Sequence, residues 1–379
     1  MEHRRLMRAS ILAAVVVGIT TPLPVYSVVL NNLLAIDGAM RGIVQHGRYN
    51  NATNKQGEQL KRETGGAAMI DLEVAITPTP ADTLFTNFRF AAGNALNDVG
   101  GLQLSPYNGL LADDVININD SGRNFILEAW YRRKFSLTAS SSASVSGGLL
   151  DSTRYIDENR YANDEDTQFM MSAFSVPDNK PGAPSYDPGA AVELYIDDWS
   201  FKGVYLRATN DIMKEFDYFG FQAGYHYMTP RGPGNLRLVG YSAEGSVKEK
   251  NQQRYDATMH GLGVSIDQEL GEAWGIFLRA HLQNEQAPVV YDRDISAGVS
   301  IGGKHWGRPD DVLGIAYAHL HGTGKNNIDH SNVAEAYIKF QLLKSIDFTI
   351  DLQYQKDHTV IADGDPQAWF LGGRLNLEF

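Results

Sequence analysis

The sequence predicts an all-β fold: a transmembrane antiparallel β-barrel of about sixteen strands, with short turns at one end and long loops at the other. Three observations predict it. Apolar and polar residues alternate with a period of two along most of the chain, the connections between these segments are alternately short and long, and the chain closes on an amphipathic segment ending in Phe379. Beyond residue 27 no apolar run approaches the roughly 20 residues that a spanning helix requires.

The alternation is clearest after Ser345, where Ile346, Phe348, Ile350, Leu352 and Tyr354 share one face and Asp347, Thr349, Asp351 and Gln353 the other. Successive side chains of a strand point to opposite faces, so this segment is apolar on one side and polar on the other. The same pattern sets Trp274, Ile276, Leu278, Ala280 and Leu282 against Phe277, Arg279, His281 and Gln283. It places strands near 35–47, 66–77, 83–93, 123–133, 137–149, 189–197, 201–209 and 217–227. Eight more follow near 234–243, 257–267, 274–284, 294–303, 310–321, 333–342, 345–356 and 367–379. Short links such as Asp198-Trp199-Ser200 and Leu343-Lys344 alternate with long ones at 48–65, 94–122 and 150–188. A membrane barrel has this asymmetry, with short periplasmic turns and longer exterior loops. In the last strand Leu371, Leu375, Leu377 and Phe379 share a face, as in the signal read by the barrel assembly machinery. A soluble β-sandwich or propeller also alternates, but seldom keeps the long-short rhythm of connections.

Residues 1–27 read as a signal peptide: Arg4, Arg5 and Arg8 precede the apolar run Ile11 to Ile19, and Pro22 and Pro24 interrupt it before Ser27. Residues 28–379 then form a single barrel domain, expected in the outer membrane of a Gram-negative bacterium. The formal charge of −12 excludes nucleic acid as a partner, since phosphates need a basic face. With no cysteine in the chain, neither a disulfide framework nor a thiolate metal site can form. The outward face would meet membrane lipid and lipopolysaccharide; assembly as a homotrimer is compatible with such a barrel but is left open by the residues.

In a barrel of this size the inner face is wet, so candidate functional residues are the polar ones that alternation turns inward. That set includes Arg41, Arg89, Glu128, Trp130, Arg132, Glu193, Tyr195, Tyr205, Arg207, Arg279, Glu335, Tyr337 and Lys339. Arginine–carboxylate pairs beside aromatic rings offer paired donors and acceptors, together with faces for C–H surfaces, which suits small sugars. The longest connection, near 150–188, carries Tyr155, Tyr161, Phe169, Met170, Met171 and Phe174, which argue for packing as a constriction. Its Asp157 and Asn159 are candidate pore-lining groups, and with Asp164 and Asp166 could meet a hard cation. Their spacing matches no calcium loop, so turn-forming carboxylates are expected and no metal is assigned.

Several segments resemble the carbohydrate-selective porin family: Leu127-Glu128-Ala129-Trp130-Tyr131, Gly148-Leu149-Leu150-Asp151, Tyr161 to Phe169, Gly307 to Gly314, and Asp351-Leu352-Gln353-Tyr354 with Phe379. The resemblance implies a sixteen-stranded barrel passing mono- and small oligosaccharides by facilitated diffusion, with the inward-folding loop between strands five and six. A general, cation-leaning porin is the alternative, given the acidic chain. An enzyme is not expected and no cofactor is implied: His226, His260 and His281 lie on strands with no serine assignable to them, and no glycine loop would cradle a phosphate. His319 and His321, two apart, read as a solvated rim pair.

Overall fold

The computed structural model describes residues 28–379 apart from 32, 176–182, 210–212, 249–253, 285–288 and 362–363. The expected signal peptide lies outside the described residues. Sixteen long strands form the barrel: β2 (Leu34–Asn50), β3 (Arg62–Thr79), β4 (Asp82–Ala92), β5 (Ile126–Ser136), β6 (Ser141–Asp151), β7 (Ser185–Ile196), β8 (Trp199–Ala208) and β9 (Met213–Thr229), then β10 (Gly232–Lys248), β11 (Arg254–Leu270), β12 (Trp274–Gln283), β13 (Tyr291–Gly302), β14 (Val312–Gly322), β15 (Ile328–Leu343), β16 (Ile346–Thr359) and β17 (Gln367–Glu378). A short β1 (Val28–Asn31), not anticipated from the sequence, turns back onto β2. Each long strand pairs antiparallel with the next, and β17 pairs with β2, from Gln367 opposite Asn50 to Glu378 opposite Ala39. The sheet therefore closes on itself and leaves no long unpaired edge.

Period-two patterning decides which face looks where. Leu84, Phe90, Val145, Val192, Phe219, Phe221, Leu238, Leu262, Leu282, Ile295, Leu352 and Leu371 all point outward and stay exposed on the isolated chain. The buried inner face carries Asp71, Arg89, Glu128, Glu193, Lys202, Gln222, Asp267, Arg279, Glu335, Asp351 and Arg374. This inside-out distribution is the one a lipid-facing barrel requires. Strands such as β3, with 18 residues, exceed the roughly 9–11 needed to cross a bilayer.

Closure at the carboxyl end depends on a close approach. The Phe379 backbone exchanges hydrogen bonds of 2.8 and 2.9 Å with Gly38. A β-carbon at Gly38 would stand 2.4 Å from the Phe379 ring, so only glycine lets the ring lie flat there. Deleting Phe379 is therefore expected to impair assembly more than removing another exposed aromatic such as Trp306. Heat-modifiable migration of the membrane fraction checks this; undiminished folding of the truncated chain would contradict it.

Candidate constriction of the barrel

Two long connections turn into the lumen: the one between β6 and β7, described over residues 152–175 and 183–184, and residues 93–125, between β4 and β5. The first is held at its root by Asp151, whose carboxylate accepts from the Thr153 amide and the Ser185 hydroxyl, both at 2.9 Å. Tyr155 and Ile156 then pack in one apolar cluster with Val204, Leu206, Phe216 and Tyr218 of β8 and β9. Further along, Phe169 and Phe174 join a second cluster with Phe277, Leu320 and Tyr337.

A loop drawn into a barrel must satisfy its backbone polar groups without regular secondary structure. Inward side chains of distant strands do this. Arg279, fully buried on β12, donates to the carbonyls of Asp157 (2.6 Å), Ala162 and Phe174 (3.0 Å) and to Asn163 Oδ1 (2.9 Å). Arg374 on β17 donates to the carbonyls of Glu165 and Gln168 at 2.5 and 3.3 Å. Glu335 on β15 accepts from the Met170 and Met171 amides at 2.5 and 3.0 Å. Asn376 on β17 holds the Asp166 carbonyl at 2.9 Å.

The Asp166 side chain completes the anchoring. Arg89 reaches it at 2.9 Å and Arg41 at 3.3 Å, while both arginines also bond Asp71. Tyr107, from the other inward loop, donates its hydroxyl to the same carboxylate at 2.5 Å. Burial opposes the charge on Asp166, but Arg41 and Arg89 outweigh it and hold the carboxyl below the usual aspartate range. The charged cluster therefore contributes above that range and is lost only as pH falls through the lowered value.

These contacts sort the residues singled out in the sequence. Arg89 and Arg279 face inward as expected, yet they are loop anchors rather than groups presented to the channel. Asp157 and Asn159 are likewise buried. Asp157 lies 3.2 Å from His281, and the Asn159 amide donates to Ser265 Oγ at 3.0 Å. Asp164 is turn-forming, accepting from the Asp166 amide at 2.9 Å. Arg207 corrects the sequence reading: with Tyr205 it lies on the outer face of β8, paired to Asp217 at 3.0 Å. Alternation misplaced it because the inner positions of β8 beyond Lys202 are the apolar Val204, Leu206 and Ala208, which pack in the cluster containing the loop.

The other five come together. The Arg132 guanidinium lies 4.9 Å from the centre of the Trp130 ring and 3.2 Å from Glu193. Glu193 also accepts from the Tyr195 hydroxyl (2.8 Å) and Ser144 (3.0 Å). Trp130 donates to Glu128 at 3.1 Å and stacks against Phe85 at 4.8 Å. The loop adds Arg154, which bonds Glu128 at 2.6 Å, lies 3.7 Å from Glu73, and sits 5.3 Å from the Phe85 ring centre. Lys202 joins Glu158 at 2.7 Å, and Gln222 donates to the same carboxylate at 2.6 Å. Side chains of Arg132, Arg154 and Glu73 remain 13, 20 and 29% exposed, whereas Trp130 is 5% exposed. The tryptophan is thus a floor that orients Arg132, and the partly open groups are charged donors and acceptors.

Sequence reasoning missed Arg154, Lys202, Glu158 and Glu73. Lys202 was recoverable: on β8 it shares the parity that places Glu193 inward on the neighbouring β7, opposite it in register. Arg154 was not, because a loop has no period from which to read direction.

Arg279→Gln should release the loop, since hydrogen bonds to a charged donor are worth about 1.5–3 kcal/mol each and four acceptors lose theirs. Nicking by a broad protease within residues 152–175 should rise about tenfold or more. The barrel itself should keep its heat-modifiable migration. Unchanged protection of the loop would count against the anchoring described.

Comparison with known proteins agrees with this architecture. Residues 211–379 match the family described as "Carbohydrate-selective porin, OprB family". A chain from Aquifex aeolicus described as an uncharacterized protein is 28% identical over 305 residues, covering 78% of this chain and 83% of that one. Among solved structures, Pseudomonas putida OprB at high pH superposes with a TM-score of 0.74 at 14% identity, over 93% of this chain and 95% of that one. A loop-deletion mutant of OmpT from Vibrio cholerae superposes with a TM-score of 0.52 at 12% identity, over 90% of this chain and 98% of that one. The carboxyl-terminal part of the chain thus matches the carbohydrate-selective porin family, and the closed sixteen-strand fold throughout resembles that of Pseudomonas putida OprB.

Proposed function

We propose that the protein is an outer-membrane porin for facilitated diffusion of mono- and small oligosaccharides, with the Arg132–Arg154 region as its selective constriction. The long loops then face the exterior and the short turns the periplasm. The observation that carries this reading is the arrangement of two arginines, each beside an aromatic ring and each bonded to a glutamate, with their polar ends partly open. A guanidinium fixed in this way offers several N–H donors at set angles, and the adjoining carboxylate offers acceptors. Vicinal sugar hydroxyls need both at once.

Charge balance supports a neutral cargo. Arg132, Arg154 and Lys202 stand among Glu73, Glu128, Glu158 and Glu193, so cations and carboxylates nearly compensate. A strongly ion-selective pore would carry a ring of one sign. The family name supports the same cargo class.

Arg132→Ala should weaken the block of ion current by added maltose-size sugars up to about tenfold, since exchanging one hydrogen bond with water is worth ~0.5–1.5 kcal/mol. Glu193 would keep Tyr195 and Ser144 as donors, so the barrel should fold normally. Losing the cation while keeping the carboxylates should shift reversal potentials towards cation preference. Planar-bilayer recording measures both. Equal permeation of sugars of one mass, with no block in the wild type, would favour a general cation-leaning porin.

A further inference from the structure

The outer face carries a polar site that transport does not use. Near the long-loop end of β2 and β3, Arg48 stands directly opposite Arg62, and in the next outward row His46 stands opposite Thr64. Both arginines are exposed, and among the described residues neither guanidinium has a hydrogen-bond or ion-pair partner. On its other side Arg48 is in register with Trp369, which is 52% exposed and packs against Tyr354 at 4.8 Å. Below them the outward positions are apolar: Val44 and Ile70, with Leu371 on β17.

Like charges facing each other across a strand pair are destabilising. At the same end of the barrel, on the opposite arc, Glu244 stands opposite Asp217, and there Arg207 binds Asp217 at 3.0 Å and supplies the counter-charge. Among the described residues the Arg48–Arg62 pair has no such side chain, on a chain whose formal charge is −12. What fits is an external anion able to take two guanidinium forks at the edge of the apolar belt, where Trp369 and Tyr354 suit the headgroup level.

We propose that Arg48 and Arg62 bind the phosphate of a phosphorylated lipid headgroup in the outer leaflet, with Trp369 against the upper part of its acyl region. This rests on the membrane-barrel reading above, and on the long-loop end facing the exterior. The headgroup phosphate bridges the two guanidinium groups and removes their mutual repulsion; His46 and Thr64, bonded at 2.8 Å, border the site on the membrane side.

The test uses the full-length protein refolded in a neutral detergent, with diphosphoryl lipid A as probe and its dephosphorylated form as control. Native mass spectrometry should show bound lipid A on the wild type and at least about tenfold weaker binding on R48Q/R62Q, the ratio expected for roughly 1.4 kcal/mol. R207Q, at the same end of the barrel, should bind as the wild type does. Excess inorganic phosphate should not displace the lipid. Equal binding by R48Q/R62Q, equal binding of the dephosphorylated lipid, or displacement by inorganic phosphate would each overturn the assignment. Loss of an oligomer in R48Q/R62Q with lipid binding intact would overturn it in favour of a subunit contact. Heat-modifiable migration, scored on every sample, separates this from failure of the barrel reading, which a wild type lacking such migration would overturn along with the inference.

Discussion

Everything inside this barrel is arranged around one requirement: a long loop drawn into the lumen must find partners for its backbone. Arg279 alone answers three carbonyls of the 152–184 loop, Arg374 two, and Glu335 two amides. Each of these side chains comes from the wall and is spent on holding the loop. Among the polar groups left partly open, Arg132, Arg154 and Glu73 cluster near the start of the loop, and Arg160 with Glu269 forms a second open pair against β11. On the proposed function, selectivity is in this sense a by-product of anchoring. Inner positions not taken by the loop become the lining.

Packing reinforces the same division. Tyr155 and Ile156 cover the apolar inner patch of β8 and β9, and Phe169 and Phe174 cover that of β12 to β15. The second inward connection, residues 93–125, is tied to the first through the Asn108 amide and the Met170 carbonyl, at 2.9 Å. It is tied to the wall through Gln45 and Gln353, which both donate to the Pro106 carbonyl at 2.9 Å. Tyr107 inserts into the Arg41–Arg89–Asp71–Asp166 cluster. Moving one loop would therefore disturb the other. At Gly275 the wall approaches the first loop closely: a β-carbon there would stand 2.1 Å from the Tyr161 ring, so the wall itself is shaped to receive the loop.

Much of this was legible in the chain. All sixteen long strands lie where alternation puts them, because one face of each meets lipid and the other meets water or a wet loop. Glu128, Trp130, Arg132, Glu193 and Tyr195 follow from the same parity. The failures also have causes. Arg207 was read inward because a charged residue between apolar neighbours suggests a wet face, but the apolar neighbours here serve the loop and the arginine sits at the outer rim. Arg89 and Arg279 were read as lining because parity gives direction and not occupancy, and Asp157 and Asn159 because a polar stretch of loop does not reveal which of its groups are buried. The inward turn of residues 93–125 had a signal in Leu104, Tyr107, Leu111 and Val115, apolar groups too regular for a solvated loop. Trp130 shows a further limit: an aromatic beside an arginine can be a buttress for it rather than a surface for the cargo.

The central claim is that residues 152–175 of this loop are part of the folded interior, held by wall side chains through their own backbone. Hydrogen exchange of the refolded protein in detergent, read by mass spectrometry on peptides covering residues 162–175, tests it most directly. The anchored amides of Met170 and Met171 should exchange as slowly as those of neighbouring strands such as β15, and far more slowly than residues 53–58 at the tip of an outer loop. Exchange across 162–175 as fast as in that outer tip would contradict the account.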